Sequence, residues 1–134
     1  MIAVDTSALM AIVQREPGFE TCMDALEAET EVLISAGTLA EALIVAARRN
    51  VAGEMSALVE GLGLAVVTVS ESASRRIADA YSQWGKGVHP AGLNFGDCFA
   101  YAVAKEHACP LLYVGDDFTR TDLASAGPPA SVSI

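Results

Sequence analysis

The chain has 134 residues, of which 52% are hydrophobic, and its 17 Asp and Glu against 8 Lys and Arg give a formal net charge of −9. This length predicts a single domain over residues 1–134, and no apolar run reaches the ~18 residues that a membrane span needs. The acidic balance argues against a nucleic-acid binder that uses a basic surface. A bound divalent cation would reverse that argument, because it changes the sign of the charge that a phosphate meets.

The N-terminus and the cysteines indicate where the protein works. Asp5 interrupts the apolar start, and no basic flank or small-residue cleavage site precedes it, so we expect a cytoplasmic protein. The three cysteines, Cys22, Cys98 and Cys109, are odd in number and form no close pair. They argue against a disulfide framework and a zinc site, and they are expected in the core.

The opening stretch predicts a buried strand that leads directly into a helix. An apolar run begins at Met1 and ends at Asp5, and apolar residues at helical spacing follow over Ala8–Val13. Asp5 would lie at the carboxyl end of the strand. In open α/β sheets ligands bind at that edge, so Asp5 is either a helix cap or part of a site.

The middle of the chain alternates helices and short strands. Thr38 is the expected N-cap of the helix that contains Glu41, because Glu three residues after Thr is the spacing of a capping box. The predicted elements are an amphipathic helix over Phe19–Glu29, a strand over Glu31–Ser35, a buried helix over Leu39–Arg49, a helix over Val51–Leu62, a central parallel strand over Leu64–Val69 and a helix over Glu71–Trp84 capped by Ser70.

The last third contains a long loop and a repeat of the opening pattern. The Gly-rich stretch Gly85–Gly96 is the longest predicted loop, and Asp97 is expected to open the helix that follows. The apolar run Leu111–Gly115 then ends at two acids, and a turn and a short edge strand are expected over Gly127–Ile134. This alternation predicts a three-layer α/β/α fold with a mostly parallel central sheet.

Four acids fall at comparable places: Asp5 and Asp116 where strands end, Asp97 at a helix start, and Glu41 one turn into another helix. Each alone has a structural interpretation, as a cap, a capping-box partner or a turn residue. Together they would repel one another unless a cation compensates them, and oxygen-only ligands select Mg²⁺ or Mn²⁺. Such a site suits phosphodiester hydrolysis.

The order and context of these residues resemble a PIN domain, and in particular the VapC toxins of toxin–antitoxin pairs. The resemblance runs essentially from end to end. It is carried by Val4–Ala8, the Glu41 helix, the loop His89–Ala91, the run Leu93–Ala102, Gly115–Phe118 and the pair Thr121–Asp122.

The resemblance implies a ribonuclease that uses Mg²⁺ or Mn²⁺. Asp5 and Asp97 would ligate the metal directly, and Glu41 and Asp116 would complete the catalytic acids, with Asp116 as a further metal ligand. Asp116 is favoured because it is the first acid beyond the strand.

Other residues near these acids have possible accessory roles. Asp117 and Asp122 lie close to Asp116 in the sequence and remain alternatives for the fourth acid. Thr6 and Ser7 would hydrogen-bond to Asp5 or to a phosphate, or would serve only at the helix start.

The resemblance also implies partners. A VapB-type antitoxin would place an apolar helix on the surface of Phe19–Leu26 and Leu39–Ala47 and insert an Arg into the acidic pocket. RNA is the implied substrate, and a homodimer and a toxin–antitoxin hetero-oligomer are the implied assemblies.

Two other classes of function are compatible with acids at strand ends. One is an Mg²⁺-dependent phosphoryl-transfer or receiver-type α/β domain, although Asp5 lacks a second acid two residues on. The other is a catalytically silent module whose acids receive basic residues of a partner. Labelling of Asp5 by a phosphodonor would distinguish a phosphoryl-transfer domain from a nuclease. Nuclease activity would distinguish a nuclease from a silent binding module.

Overall fold

The computed structural model describes residues 1–127 and contains one four-stranded parallel sheet with strand order β3-β2-β1-β4. The strands are β1 (Ile2–Val4), β2 (Val32–Ser35), β3 (Ala65–Val67) and β4 (Leu111–Leu112). The helices are α1 (Thr6–Val13), α2 (Phe19–Glu27), α3 (Ala36–Arg48), α4 (Ala52–Leu62), α5 (Glu71–Trp84) and α6 (Phe95–Glu106). The predicted α/β class with a parallel sheet is therefore confirmed.

Two hydrophobic clusters cover the two faces of this sheet. Successive residues of β1 point to opposite faces, so Ala3 packs in a cluster with α5 and α6, whereas Ile2 and Val4 pack in a cluster with α1 to α4. This division produces the three layers. The cysteines are free and buried, as predicted. Within residues 1–127 no helix is both long enough and apolar enough to cross a bilayer.

The register of the sheet brings three chain segments to one edge. Ala3 pairs with Leu111 and Val4 with Leu112, and the Asp5 amide donates to the Leu112 carbonyl at 3.0 Å. β2 lies on the other side of β1, with Ile2 opposite Val32. Asp5 and the segments that follow β2 and β4 consequently lie at the same edge, as the sequence predicted for Asp5.

The start of α3 differs from the prediction. Ser35, not Thr38, is the N-cap, and its side chain accepts from the Gly37 amide at 3.2 Å. Thr38 is buried inside the first turn of the helix. The helix begins three residues earlier than predicted because Gly37 does not interrupt it. Gly37 instead provides space for the Phe99 ring, which would lie 2.3 Å from a Cβ at position 37.

Two burial predictions were also wrong. β3 is an edge strand and not a central one, since within residues 1–127 it pairs with β2 alone, and Val66 is 50% exposed. The helix α3 is not buried on nearly every side, because Leu43 and Ile44 face solvent and Ile44 is 60% exposed. Neighbouring elements, and not the strand's own sequence, decide which strand lies at the edge.

The loop between α5 and α6 is internally hydrogen-bonded. The Leu93 amide donates to the Trp84 carbonyl, the Lys86 amide donates to Leu93, and the His89 amide donates to Gly85. Asn94, not Asp97, is the N-cap of α6. The predicted edge strand near the C-terminus lies outside the described residues.

Replacing Gly37 by Ala should destabilise the fold, because the added methyl group would overlap the Phe99 ring. Such overpacking costs typically about 1–3 kcal/mol. Gly53 is the matched control: it is also the second residue of its helix, and a Cβ there meets nothing within 4 Å. Urea denaturation should show a loss of stability for Gly37→Ala and none for Gly53→Ala. Equal effects of the two changes would contradict this packing analysis.

Candidate active site

Asp5 is a buried carboxylate at the start of α1. It is the N-cap of that helix, and its Oδ2 accepts from the Ser7 amide at 3.0 Å and from the Ser7 hydroxyl at 2.7 Å. Burial raises the pKa of Asp5 above its ordinary value, with a smaller contribution from the charge of Glu41, although the bonds from Ser7 oppose this. The capping role and the buried charge therefore coexist in one side chain.

Asp97 is the second buried carboxylate, and it lies in the first turn of α6. It forms a capping box with Asn94: the Asn94 amide donates to Asp97 Oδ2 at 3.0 Å, and Asn94 Oδ1 accepts from the Asp97 amide at 2.8 Å. Burial raises the pKa of Asp97 to about 7, and the charges of Asp5, Asp117 and Glu41 add to this effect. Three other acids therefore act electrostatically on Asp97.

Glu41 lies where the starts of α1 and α6 meet α3. Its Oε1 accepts from the buried Thr6 hydroxyl at 2.7 Å, and that hydroxyl also lies 3.4 Å from the Thr38 carbonyl oxygen. A Cβ at Gly96 would be 2.3 Å from Glu41 Oε2. The absence of a side chain at position 96 leaves the space that the Glu41 carboxylate occupies.

The segment after β4 contains the remaining candidate acids. Asp116 and Asp117 are both exposed, and of the two the charge of Asp117 contributes more to the raised pKa of Asp97. Ser7 connects this segment to Asp5, because its hydroxyl accepts from the Val114 amide at 3.0 Å while donating to Asp5. Ser7 thus holds β1 and the segment containing these acids together.

Asp122 accepts hydrogen bonds from two residues of α6. Its Oδ1 accepts from the Tyr101 hydroxyl at 2.7 Å and its Oδ2 from Lys105 Nζ at 2.8 Å, and Trp84 Nε1 donates to Tyr101 at 2.8 Å. Burial acts to raise the pKa of Asp122, but the bonds from Lys105 and Tyr101 prevail and lower it. Burial and the bond to Asp122 raise the pKa of Tyr101 to about 12. Asp122 therefore anchors the end of the segment on α6.

The donor chemistry of the site fits Mg²⁺ or Mn²⁺. Asp5, Asp97, Glu41 and Asp117 present only carboxylate oxygens, and within residues 1–127 no hydrogen bond reaches Oδ1 of Asp5 or of Asp97. No group of three or more His, Cys, Asp or Glu in the described chain is already gathered closely enough to hold a metal. The raised pKa values show that the ionised acids lack compensation, which a cation would supply.

Sequence reasoning missed two residues of this site. Asn94 fixes the Asp97 carboxylate, and Gly96 makes room for Glu41. The spacing of Asn94 and Asp97 is that of a capping box with Asp in place of Glu. The role of Asn94 could therefore have been predicted from the sequence. Gly96 depends on a contact between two helices, which the local sequence does not indicate.

Asp97→Asn should stabilise the cation-free protein at pH 8. The pKa of Asp97 is about 7 in the folded state against an ordinary value of 3.8, so the native state binds more protons between these values. The free energy of unfolding of the wild type therefore falls as pH rises from about 4 to about 7 and stays lower above that window. At pH 8 in chelator, Asp97→Asn should raise the free energy of unfolding by roughly 1–2 kcal/mol.

The control for this change is Asp24→Asn, which removes one charge from an exposed position of α2. Urea unfolding at pH 5 and pH 8 should show a smaller pH dependence for Asp97→Asn than for the wild type or the control. A clear loss of stability in Asp97→Asn at pH 8 would count against a crowded acidic site.

Comparisons with known proteins agree with this architecture. The family model of the PIN domain matches residues 2–123. Ribonuclease VapC30 of Mycobacterium tuberculosis is 38% identical over 131 residues, covering 96% of this chain and 100% of that protein. Ribonuclease VapC42 of the same organism is 41% identical over 128 residues, which cover 92% of this chain and 97% of that protein.

Solved structures show the same fold. The crystal structure of M. tuberculosis VapC20, described as a Sarcin-Ricin loop cleaving toxin, superposes with a TM-score of 0.77 at 18% identity, covering 96% of this chain and 100% of the other. VapBC2 from Rickettsia felis, bound to a DNA fragment from its promoter, superposes with a TM-score of 0.70 at 15% identity. The match covers 93% of this chain and 96% of the other. With curated relatives at 38–41% identity over most of its length, the chain belongs to the VapC ribonucleases of the PIN-domain family.

Proposed function

We propose that the chain is a toxin of a toxin–antitoxin pair and acts as an endoribonuclease that hydrolyses RNA phosphodiester bonds with Mg²⁺ or Mn²⁺. One observation carries the proposal: two buried carboxylates, Asp5 and Asp97, both have raised pKa values. Burial is the main cause in each case, and the charges of nearby acids add to it, Glu41 at Asp5 and Asp5, Asp117 and Glu41 at Asp97. Such an arrangement is costly in a protein that binds no cation. The ribonuclease names of the curated relatives support the same activity.

Asp5, Asp97 and one acid after β4 would hold the metal. When bound, the metal would lower the pKa of a water nucleophile and stabilise the charge on the leaving oxygen. Asp116 is the first acid beyond the strand, but Asp117 is the stronger candidate for this place because its charge contributes more to the pKa of Asp97. Asp122 is the weakest candidate for the fourth acid, because its two carboxylate oxygens already accept hydrogen bonds from Tyr101 and Lys105.

The other residues orient these acids. Ser7 fixes Oδ2 of Asp5, Asn94 fixes Oδ2 of Asp97, and in both cases the Oδ1 atom stays available. Thr6 donates to Glu41 Oε1, which turns the other oxygen, Oε2, toward Gly96. In this position Glu41 would orient water or accept a proton in the acidic cluster.

An antitoxin partner fits an apolar groove beside Glu41. The groove has a volume of about 340 Å³ and is bordered by Ala40, Ile44, Phe95 and Phe99. Ile44 supports the expected docking surface on Leu39–Ala47, whereas α2 buries Cys22 and Leu26 and offers less apolar surface. A partner that fills the groove could direct a basic side chain to Glu41, in keeping with the net charge of −9.

A homodimer is part of the same proposal. Phe95 is 71% exposed, and a second apolar groove of about 380 Å³, bordered by Val69, Tyr81 and Phe99, lies on its other side. Exposed apolar surface of this kind is typical of protein–protein contacts.

Cleavage of RNA by purified, antitoxin-free protein tests the activity. We expect discrete fragments in Mg²⁺ or Mn²⁺ and none in chelator, and Asp97→Asn should lose more than about 100-fold in rate. Asp24→Asn, an exposed charge change on α2, should cleave like the wild type. Absence of metal-dependent cleavage by folded wild-type protein would refute the proposal.

Comparison of three Asn variants tests the fourth acid. Asp117→Asn should lower the cleavage rate by more than about 100-fold, as a metal ligand does, while Asp116→Asn should cost less than about 10-fold. Asp122→Asn should mainly lower the melting temperature, because it loses the charge that Lys105 and Tyr101 hold. If Asp116→Asn is the inactive variant, the assignment of Asp117 fails.

A further inference from the structure

A polar cleft lies beside the candidate active site. One wall is the loop tip at Pro90 and Ala91, and the other is the segment Asp116–Arg120, with a volume of about 420 Å³ between them. Asp117 lines this cleft, and its charge also acts on Asp97. Asp117 is therefore shared between the cleft and the acids that act on Asp97, so a phosphate chain held at these acids would lie next to the cleft.

Arg120 is the one cation among the residues that line the cleft. Its Nη1 donates to the Pro90 carbonyl at 3.3 Å, and within residues 1–127 it forms no ion pair, although Asp116 and Asp117 line the same cleft. Within the described residues three other Arg and Lys side chains form ion pairs, Arg75 with Glu71, Arg76 with Glu106 and Lys105 with Asp122, but none of these three lines the cleft. Among residues 1–127 Arg120 therefore has a partner for one of its five N–H donors.

Both walls of the cleft are held before any ligand arrives. The loop tip is fixed by bonds from the His89 amide to Gly85 and from the Gly92 amide to His89, and the His89 ring packs edge-on against Trp84 at 4.6 Å. The opposite wall is anchored by the buried Phe118 and by the Thr119 hydroxyl, which donates to the Asp116 carbonyl at 2.8 Å. The two walls of the cleft therefore need little further ordering when a ligand binds between them.

We infer that Arg120 binds a phosphate of the RNA next to the one that is cleaved, and so positions the RNA backbone in the cleft between Pro90 and Asp117. This inference rests on the proposed ribonuclease function. A chain of net charge −9 repels RNA, so a substrate needs a local cation beside the acids. A guanidinium matches two phosphate oxygens at once, and such contacts position the backbone without reading the bases.

The test compares Arg120→Ala, Arg120→Lys and a matched control, Arg75→Ala. Arg75 is exposed, and in the part of the chain that the structure describes its side chain bonds to Glu71 alone, one turn before it on α5. Cleavage of a fluorogenic RNA oligonucleotide is measured in Mg²⁺ at several NaCl concentrations. Arg120→Ala should raise KM with little change in kcat, and the slope of log(kcat/KM) against log[NaCl] should become shallower by about 0.7.

Arg120→Lys should restore the salt slope, because it keeps the charge, but not the full kcat/KM, because an ammonium cannot make the bidentate contact. Arg75→Ala should match the wild type in the salt slope and in kcat/KM. The inference is overturned if Arg120→Ala keeps the wild-type KM and slope. It is also overturned if Arg120→Ala loses melting temperature and kcat with an unchanged slope, since Arg120 would then only hold Pro90.

Binding of a labelled RNA oligonucleotide, measured by fluorescence anisotropy, separates this inference from the proposed function. In an Asp97→Asn background, adding Arg120→Ala should weaken binding and reduce its salt slope by the same amount. Equal binding with and without Arg120 overturns the inference, whether or not the wild type cleaves RNA. Failure of the wild type to cleave refutes only the proposed activity.

Discussion

The rest of the structure depends on the burial of two carboxylates, Asp5 and Asp97, at one end of a parallel sheet. Burial raises the pKa of each carboxylate, and the charge of Asp5 raises the pKa of Asp97 further. Hydrogen bonds from the starts of α1 and α6 reduce this cost, because helix amide groups favour negative charge nearby. The remaining repulsion favours a cation, so the same feature limits the stability of the fold and creates its chemistry.

The site is assembled mainly from helix starts. The acids lie at the starts of α1 and α6 and one turn into α3, and two hydroxyl residues of α1 each make a second contact. Ser7 bonds Asp5 and also the Val114 amide, while Thr6 bonds Glu41 and also approaches the Thr38 carbonyl. These shared bonds mean that the helices cannot move independently of the acids. Rigid elements of this kind hold a site more accurately than loops do.

Most of the fold was predictable because its signals are local. Apolar runs that end in acids marked β1 and β4, and Ser70 was correctly identified as the cap of α5. The errors concern contacts between distant segments. Gly37 resembles a helix breaker until its contact with Phe99 is known. The β-branched run of β3 does not reveal that this strand lies at the end of the sheet formed by the described residues.

The same distinction applies to the acids. The expectation that they lie near one another came from strand ends and helix starts, which the sequence shows. The difference between Asp116 and Asp117 depends on how a short exposed segment lies against α6. That path is set by the buried Phe118 and by the bonds of Asp122 to Tyr101 and Lys105. No spacing rule contains this information.

The exposed Phe95 ring has a practical consequence for handling the protein. A large ring in water next to two apolar grooves favours self-association, while a net charge of −9 keeps copies apart at low ionic strength. Salt weakens that repulsion and leaves the apolar attraction in place. Preparations of the isolated chain should therefore lose colloidal stability as salt is added, the opposite of the behaviour expected for a protein held together by surface ion pairs.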